Sequence, residues 1–573
     1  MNKVLRINMD SLNSSIEEAP AAWGLYGGRA LTSTIVATEV DPACDPLGPR
    51  NKLVFAPGLL SGTTASDTGR LSAGAKSPLT GGIKESSSGG TAGQMLARLG
   101  YKALIIEGRP HADKWYSIHV HANGATIEEE SELIGQGNFD VLRALEARLG
   151  PKFGSLSIGQ AGELRMAAAN ISVRDVNGNL RSHGRGGLGA VMGSKRVKFI
   201  SIDAKLAKTV QAADPGKFQA AGKTFAQTLI NHPALGQGMK NFGTAMLVGV
   251  VNSVGGLPTR NFSSGYFQKY ESISGETIRD TITARGGETT DSCQPGCVIQ
   301  CSQVYVDPDR NYVTSGFEYE TIGLLGSNCE ISNLDLLAEA DHLMDDLGID
   351  SMETGVAFGV AMEAGVLPFG DGASVVRILK EEVARGTPLG RVLGAGAASV
   401  GRVYGLSRVP VVKGQGMPAY DPRPMKGMGI TYATSPMGAD HTAGHTMGPN
   451  INGMVPGDKK SGQVELSRMV QIVSAAIDAF GICTFATIPL AEIAECKPAI
   501  VDMINARFGT NQSAEQLFDA LGKYILKTER QFNLRAGFTA QHDRLPEFMA
   551  ESLPPRGVSW DFTDSEIDVF WNF

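Results

Sequence analysis

The sequence predicts an α+β protein: a β-rich N-terminal domain followed by two mainly helical domains. Three observations carry this. The first 205 residues or so alternate short apolar runs with glycine turns, as strands do. After Lys205 apolar residues recur at helical spacing over long stretches. A loop-rich stretch with many Gly, Pro and Met residues, 409–456, then separates one helical region from the next. The predicted domains are therefore 1–205, 206–408 and 409–573.

The elements follow in order. VLRINMD (4–10), KLVFA (52–56), ALIIEG (103–108) and SIHVHANG (117–124) read as strands bounded by turn residues. A helix is expected over 90–99, stopped by Gly100. Amphipathic helices are expected over 218–230, 335–347 and 351–364. In the second, Leu336, Leu337, Ala340, Leu343, Met344 and Leu347 share one face, and Gly348 ends it. Asp350 and Glu353 are placed to cap the third as a reciprocal pair. Helical pattern resumes over 464–480 and 514–532.

Bulk properties narrow the function. Net charge is −7 and no basic stripe stands out, which argues against nucleic acid as a partner. No run of about 18 apolar residues is present, so no membrane span is expected. The segment MNKVLRINMD lacks the apolar core of a signal peptide. Glycine supplies 71 of 573 residues, about 12% against a usual value of roughly 7%. The glycines cluster without period, which suggests backbone brought close to a ligand.

There are seven cysteines, three of them within nine residues, and an odd count does not read as a disulfide framework. A reducing, cytoplasmic compartment is expected. The three lie in Cys293-Gln-Pro-Gly-Cys297-Val-Ile-Gln-Cys301. A Pro-Gly turn can aim several thiolates at one centre, and an iron–sulfur cubane needs four such ligands. Cys44, Cys329, Cys483 and Cys496 compete for the fourth place. Zinc, or three cysteines that merely pack, are the alternatives.

Two distant segments share a pattern: Asp345-Asp-Leu-Gly-Ile-Asp350 and Asp478-Ala-Phe-Gly-Ile-Cys483. Each puts an aspartate in a last helical turn before a glycine that can adopt the left-handed cap. A carboxylate is poorly placed there for the helix dipole. It suits a ligand with N–H donors, such as a pterin ring; a plain helix cap is the alternative.

With these motifs in view, the chain resembles the aldehyde ferredoxin oxidoreductase family, tungsten enzymes with a bis-pterin cofactor. The resemblance runs nearly end to end. It is carried by VLRINMD, Lys76-Ser-Pro-Leu-Thr-Gly81, Ser88-Gly-Gly90, GYKALIIEG and Ile158-Gly-Gln-Ala-Gly-Glu163. Gly184-Arg-Gly-Gly-Leu-Gly-Ala-Val-Met-Gly-Ser-Lys195, Ala419-Tyr-Asp-Pro-Arg423 and Phe532-Asn-Leu-Arg-Ala-Gly537 extend it. No one segment is decisive, but their order and spacing together are specific.

The resemblance implies the following. The β-rich domain cradles a tungsten (or molybdenum) bis-pterin, and Asp345, Asp350, Asp478 and Ile482 contact the pterins. Cys483 joins Cys293, Cys297 and Cys301 around one [4Fe-4S] cluster. Arg70 lies close to the cofactor. The carbonyls of Ser87 and Ser182 hold a magnesium between the pterin phosphates, with Gly89, Arg181 and Gly184 in the same region. Glu320, in Gly316-Phe-Glu-Tyr-Glu-Thr321, is the general base, and His441, in Gly438-Ala-Asp-His441, is the hydrogen-bond donor. Glu339 and His342 match a pair that binds iron across a dimer axis in some members. Two departures stand out. The family's first cysteine spacing is C-x2-C where this chain has C-x3-C, and its best-known member has asparagine where Ser87 stands.

The implied reaction is oxidation of aldehydes to carboxylic acids. Electrons would leave through one cluster to ferredoxin or a small iron–sulfur subunit, in a homodimer or hetero-oligomer. The alternatives are the catalytic subunit of a complex reducing a carboxylic acid or aryl thioester, and a non-catalytic cofactor-binding protein.

Overall fold

A computed structural model describes residues 2–573. Twelve strands build the N-terminal region. The first six are β1 (Lys3–Asn8), β2 (Asn13–Glu18), β3 (Leu53–Pro57), β4 (Leu71–Lys76), β5 (Ile83–Ser88) and β6 (Tyr101–Glu107). They form one sheet in the order β2-β1-β6-β3-β4-β5. The next six are β7 (Trp115–His121), β8 (Gly124–Glu130), β9 (Gly154–Ser157), β10 (Ile171–Arg174), β11 (Leu180–His183) and β12 (Val197–Ile202). Their order is β11-β10-β9-β12-β7-β8. Each sheet holds one parallel pair, β1 with β6 and β7 with β12; the other pairs are antiparallel.

Side chains alternate between the faces of a strand. Leu5, Ile7, Phe55, Leu104 and Ile106 of the first sheet share a core with Ile118, Leu156, Val173 and Ile200 of the second. Val4, Val54, Ala56, Ala103 and Ile105 point the other way, onto Leu31, Ile35 and Val36 of α1 (Gly28–Glu39). The first sheet is thus buried on both faces, which is why LVFA and ALII read as unbroken apolar runs.

The helices that position the site are α2 (Pro215–Asn231), α3 (Leu334–Leu347), α4 (Ser351–Glu363), α5 (Gln463–Phe480), α6 (Cys496–Phe508) and α7 (Leu521–Arg535). Their cores do not follow the segments along the chain. Phe218, Phe225 and Leu229 of α2 pack with Ile500, Met503 and Ile504 of α6 and with Phe480 and Ile525. α3 and α4 belong to a separate core with Leu324, Met417 and Tyr432.

Three local expectations differ from the structure. Asp350 caps α4 by accepting from Met352 N, but Glu353 does not complete the reciprocal pair. Its carboxylate accepts from Ala397 N and Gly416 N and pairs with Arg185 instead. The stretch 409–456 contains a helix, Lys426–Thr434, whose nine residues are all buried; a helix covered on every side has no amphipathic period to read. Strands Glu288–Asp291, Ser302–Val306 and Tyr312–Ser315 form a small sheet around the cysteine loop.

Candidate active site

The two D-x-x-G-I segments form the same turn. Gly348 has φ +69° and Gly481 φ +76°. In each, the glycine N–H reaches the aspartate carbonyl, at 3.2 Å in both. The following isoleucine N–H reaches one residue further back, Met344 O at 3.0 Å and Ile477 O at 3.3 Å. This is the Schellman closure. The second turn docks on the first sheet: Leu59, Leu60 and Arg70 donate backbone N–H groups to Ala479, Phe480 and Gly481. The first docks beside the second sheet: Asn170 N donates to Gly348 O and Asp350 N to Ala168 O. A side chain on Gly58 would stand 2.1 Å from Gly481 Cα, and one on Gly159 2.4 Å from the Asp346 carbonyl.

Both aspartates are partly buried. Burial pushes the Asp478 carboxyl up to about 6, opposed by Arg29 and Arg70. Burial and the nearby Asp341 carry Asp345 far above the usual carboxylate range. Asp478 pairs with Arg29 at 3.3 Å. The Asp345 carboxylate accepts no hydrogen bond from another described residue; its backbone carbonyl accepts from Asn138 Nδ2 as well as Gly348 N.

The turn before Cys483 meets the cysteine loop through residues 67–70. Cys483 N donates to Asp67 O at 2.8 Å, and Gly69 N to Gln294 Oε1 at 3.1 Å. Gly90 N donates to Cys293 O at 2.7 Å, and a side chain on Gly89 would stand 3.1 Å from Cys293 Sγ. A hydrogen bond from Cys297 lowers the Cys293 thiol, with Arg181 and Arg70 adding to it. Burial lifts Cys301 and pushes Cys483 up to about 12. Cys44 and Cys329 are buried in other cores, and Cys496 is buried in the core that also holds Cys483. Among the described residues no three His, Cys, Asp or Glu side chains close on a single ion. A cubane asks for something wider: thiolates spread around four irons.

Arg70, Ser87, Gly184, His441 and Asp478, predicted from five separate segments, line one cavity of about 160 Å3. A larger open cleft, about 640 Å3 at Arg260, Glu363 and Phe369, contains none of the predicted residues. The smaller cavity is the candidate site, because charged groups converge there. Arg70 donates from Nε and Nη2 to Ser87 Oγ and O, both at 2.8 Å, and makes no ion pair among the described residues. The Ser87 carbonyl is therefore already engaged. The Ser182 hydroxyl is buried without a partner. Nothing lies within 4 Å of where a Gly184 side chain would project.

Glu320 and His441, 121 residues apart in sequence, meet with Oε1 and Nδ1 at 3.4 Å. Both atoms are buried, and neither makes a hydrogen bond. The other carboxylate oxygen accepts from Ala419 N at 2.8 Å, which fixes its orientation. Burial raises the Glu320 carboxyl, offset by His441. Tyr420 lies against His441 and His445, with ring centres 5.7 and 4.9 Å away.

Other predicted residues sit outside the cavity. Arg181 is held by Asp175, Asp291 and Ser315. Asp350 pairs with Arg185, which does line the cavity. Glu339 pairs with Lys380 on an exposed helix face. His342 contacts the Val313 carbonyl and stacks on Phe139, ring centres 4.5 Å apart.

Sequence reasoning missed much of the wall. Arg29 is fully buried between Glu529 and Asp478; a lone arginine opening the apolar run of α1 was the available signal. Lys84 pairs with Asp440 at 2.9 Å. Burial works against ionisation there, but Lys84 and Arg185 hold the Asp440 carboxyl far below its usual range. Glu85 is pushed up to about 8 by burial and by Asp478, and its Oε1 has no partner.

Known proteins fit this layout. The family model described as aldehyde ferredoxin oxidoreductase, N-terminal domain, matches residues 4–204. The model for domains 2 and 3 of the same enzyme matches residues 220–566. The chain is 35% identical to a tungsten-containing aldehyde ferredoxin oxidoreductase of Thermococcus kodakarensis, over 97% of this chain and 92% of that protein. A protein of the same description from Pyrococcus furiosus is 33% identical with the same coverage. An aliphatic sulfonate oxidoreductase, WOR-like subunit, from Pyrococcus furiosus is 25% identical over 89% of this chain and 82% of that one. A solved active-site complex of benzoyl coenzyme A reductase superposes with TM-score 0.81 at 17% identity, over 100% of this chain and 93% of that one. At that identity the likeness speaks for the fold.

Proposed function

The chain belongs to the aldehyde ferredoxin oxidoreductase family, and from that premise we propose that it oxidises aldehydes to carboxylic acids with a tungsten bis-pterin cofactor. An aldehyde and a water become an acid, two protons and two electrons. The bound metal would supply oxygen transfer and receive the electrons; molybdenum would serve the same chemistry.

The observation that carries the reading is the Glu320–His441 pair beside a cavity lined by Arg70, Ser87, Gly184 and Asp478. These residues suit an anionic cofactor with N–H donors. Arg70 is a cation without a carboxylate partner, the Asp345 carboxylate is free to accept, and Gly184 leaves room for backbone approach. Asp350, Gly89, Arg181 and Ile482 complete the proposed pterin contacts, and Ser87 and Ser182 the magnesium site. The Ser87 carbonyl accepts one bond from Arg70 and has a second lone pair for that ion. Glu320, raised by burial, would take the proton lost at the aldehyde carbon, and His441 would hold the substrate oxygen.

Cys293, Cys297, Cys301 and Cys483 would bind one [4Fe-4S] cluster, the exit for electrons. With no cysteines for a second cluster, an external acceptor is needed: ferredoxin or a small iron–sulfur subunit. We place the protein in the cytoplasm; no helix among the described residues is long and apolar enough to cross a membrane. An iron on Glu339 and His342 at a dimer axis remains part of the proposal. Glu339→Ala would then lose one non-cluster iron. We also retain the domain division at 205 and 408.

The deciding experiment uses metal-loaded enzyme, an aldehyde panel and a viologen acceptor. Glu320→Gln should keep its tungsten yet lose roughly 10²–10⁴-fold in turnover. Full turnover with metal bound would refute the base assignment. Reduction of an acid or aryl thioester, with no aldehyde oxidised, would favour the reductase alternative.

A further inference from the structure

Asp67 is fully buried and has φ +56°, a left-handed backbone that few residues other than Gly, Asn and Asp adopt. Every one of its polar contacts falls on the cysteine site. Its carbonyl accepts from Cys483 N at 2.8 Å. Its N–H donates to Gly296 O at 3.3 Å, inside the Pro-Gly turn between Cys293 and Cys297. Its Oδ2 accepts from Val298 N at 3.1 Å, the residue next to Cys297. The remaining oxygen, Oδ1, is buried with no partner. One residue thus holds Gly296 and Val298, on either side of Cys297, and the distant segment that brings Cys483. A buried carboxylate with a spare oxygen costs stability unless a nearby group uses it.

We propose that Asp67 is a positioning residue of the cysteine site: it ties the loop bearing Cys293, Cys297 and Cys301 to the turn bearing Cys483, and its carboxylate biases the reduction potential of the cluster bound there. This rests on the reading of the four thiols as cluster ligands. The backbone contacts set the spacing between loop and turn, and the side chain holds Val298, next to Cys297, within the loop. A negative charge beside a cluster disfavours the reduced form, which carries one more electron.

The test uses the purified holoenzyme and two variants. Asp67→Asn keeps a residue suited to the left-handed backbone and removes the charge. Asp67→Gly keeps the backbone bonds and removes the side chain. At pH 8, an EPR-monitored redox titration of Asp67→Asn should show the cluster about tenfold easier to reduce, about 59 mV upward for one electron. A ferrous chelator should strip iron from Asp67→Gly at least tenfold faster than from the wild type. An unchanged potential in the first variant, or wild-type iron release in the second, overturns the proposal. A wild-type protein purified with tungsten but no cluster would instead sink the reading of the thiols as ligands.

Discussion

At the scale of single residues, burial decides which groups are available for chemistry. Glu320 is a carboxylate lifted by lost hydration, with one oxygen anchored on Ala419 N and the other facing His441. A base must be deprotonated to act, so turnover should fall on acidification, at a pH above the ordinary glutamate range. A kcat/KM profile whose acidic limb sits at an unperturbed glutamate value would contradict this. Glu85 has no comparable role, and its effect is on stability. Its folded-state value of about 8 exceeds the ordinary 4.5, so the folded protein holds a proton that the unfolded chain has released. Stability must therefore fall as pH rises toward 8. Neutral buried His183, at about 4, and His445, at about 3, oppose this only up to the ordinary histidine value of 6.5. Between pH 6.5 and 8 cofactor-free protein should lose about 2 kcal/mol through Glu85. Urea unfolding at the two pH values, repeated on Glu85→Gln, measures the share of the slope that Glu85 carries; buried Asp341 and Asp345 keep the rest.

At the scale of elements, the two helix-ending turns organise the site. Each docks on its own sheet of the N-terminal sandwich through backbone bonds, and the second brings Asp478 to the cavity wall. The contact depends on glycines facing each other. A side chain on Gly481 would need a left-handed backbone and would stand 2.8 Å from Gly58 Cα. Gly481→Ala should cost about 1–2 kcal/mol from backbone conformation alone, more from the clash, and should displace Cys483 two residues on. Iron analysis of the purified variant should show cluster iron lost, and a full complement would show that the turn tolerates the change. The D-x-x-G-I pattern was legible because a glycine cap after an amphipathic helix has a fixed position. Its docking partners were not, since Gly58 and Gly159 lie roughly 420 and 190 residues away and look like any loop glycine.

At the scale of the molecule, a buried ion pair joins the ends of the chain. Arg29 of α1 donates to Glu529 of α7 through Nε and Nη2, both at 2.9 Å, and Ser33 adds a third bond. Both charges are removed from water, so losing Glu529 leaves Arg29 with only its longer contact to Asp478. Glu529→Ala should cost about 3–5 kcal/mol, seen as a lower denaturation midpoint. Pairing it with Arg29→Met should recover much of that loss. If Glu529→Ala unfolds at the wild-type midpoint, the pair is not holding α1 to α7. The same packing scale explains why the cores cross the chain segments: the apolar face of α2 finds α6 rather than its sequence neighbours.

What the sequence determined by itself was periodic or local. Strand and helix patterning set the α+β layout, glycines marked the turns, and three cysteines in nine residues marked a thiolate loop. The likeness spread along the chain supplied the rest of the site as expectations. What only the tertiary structure decided was convergence. Lys84, Glu85 and Asp440 leave no short-range signature and Arg29 only its place at the head of an apolar helix; the partners of Lys84 and Arg29 lie roughly 350 to 500 residues distant. Asp67 reads as an ordinary loop aspartate until Gly296, Val298 and Cys483 arrive around it. Spacing along a chain constrains only near neighbours. Which distant groups share a dry cavity, and so which charges shift, is settled by packing.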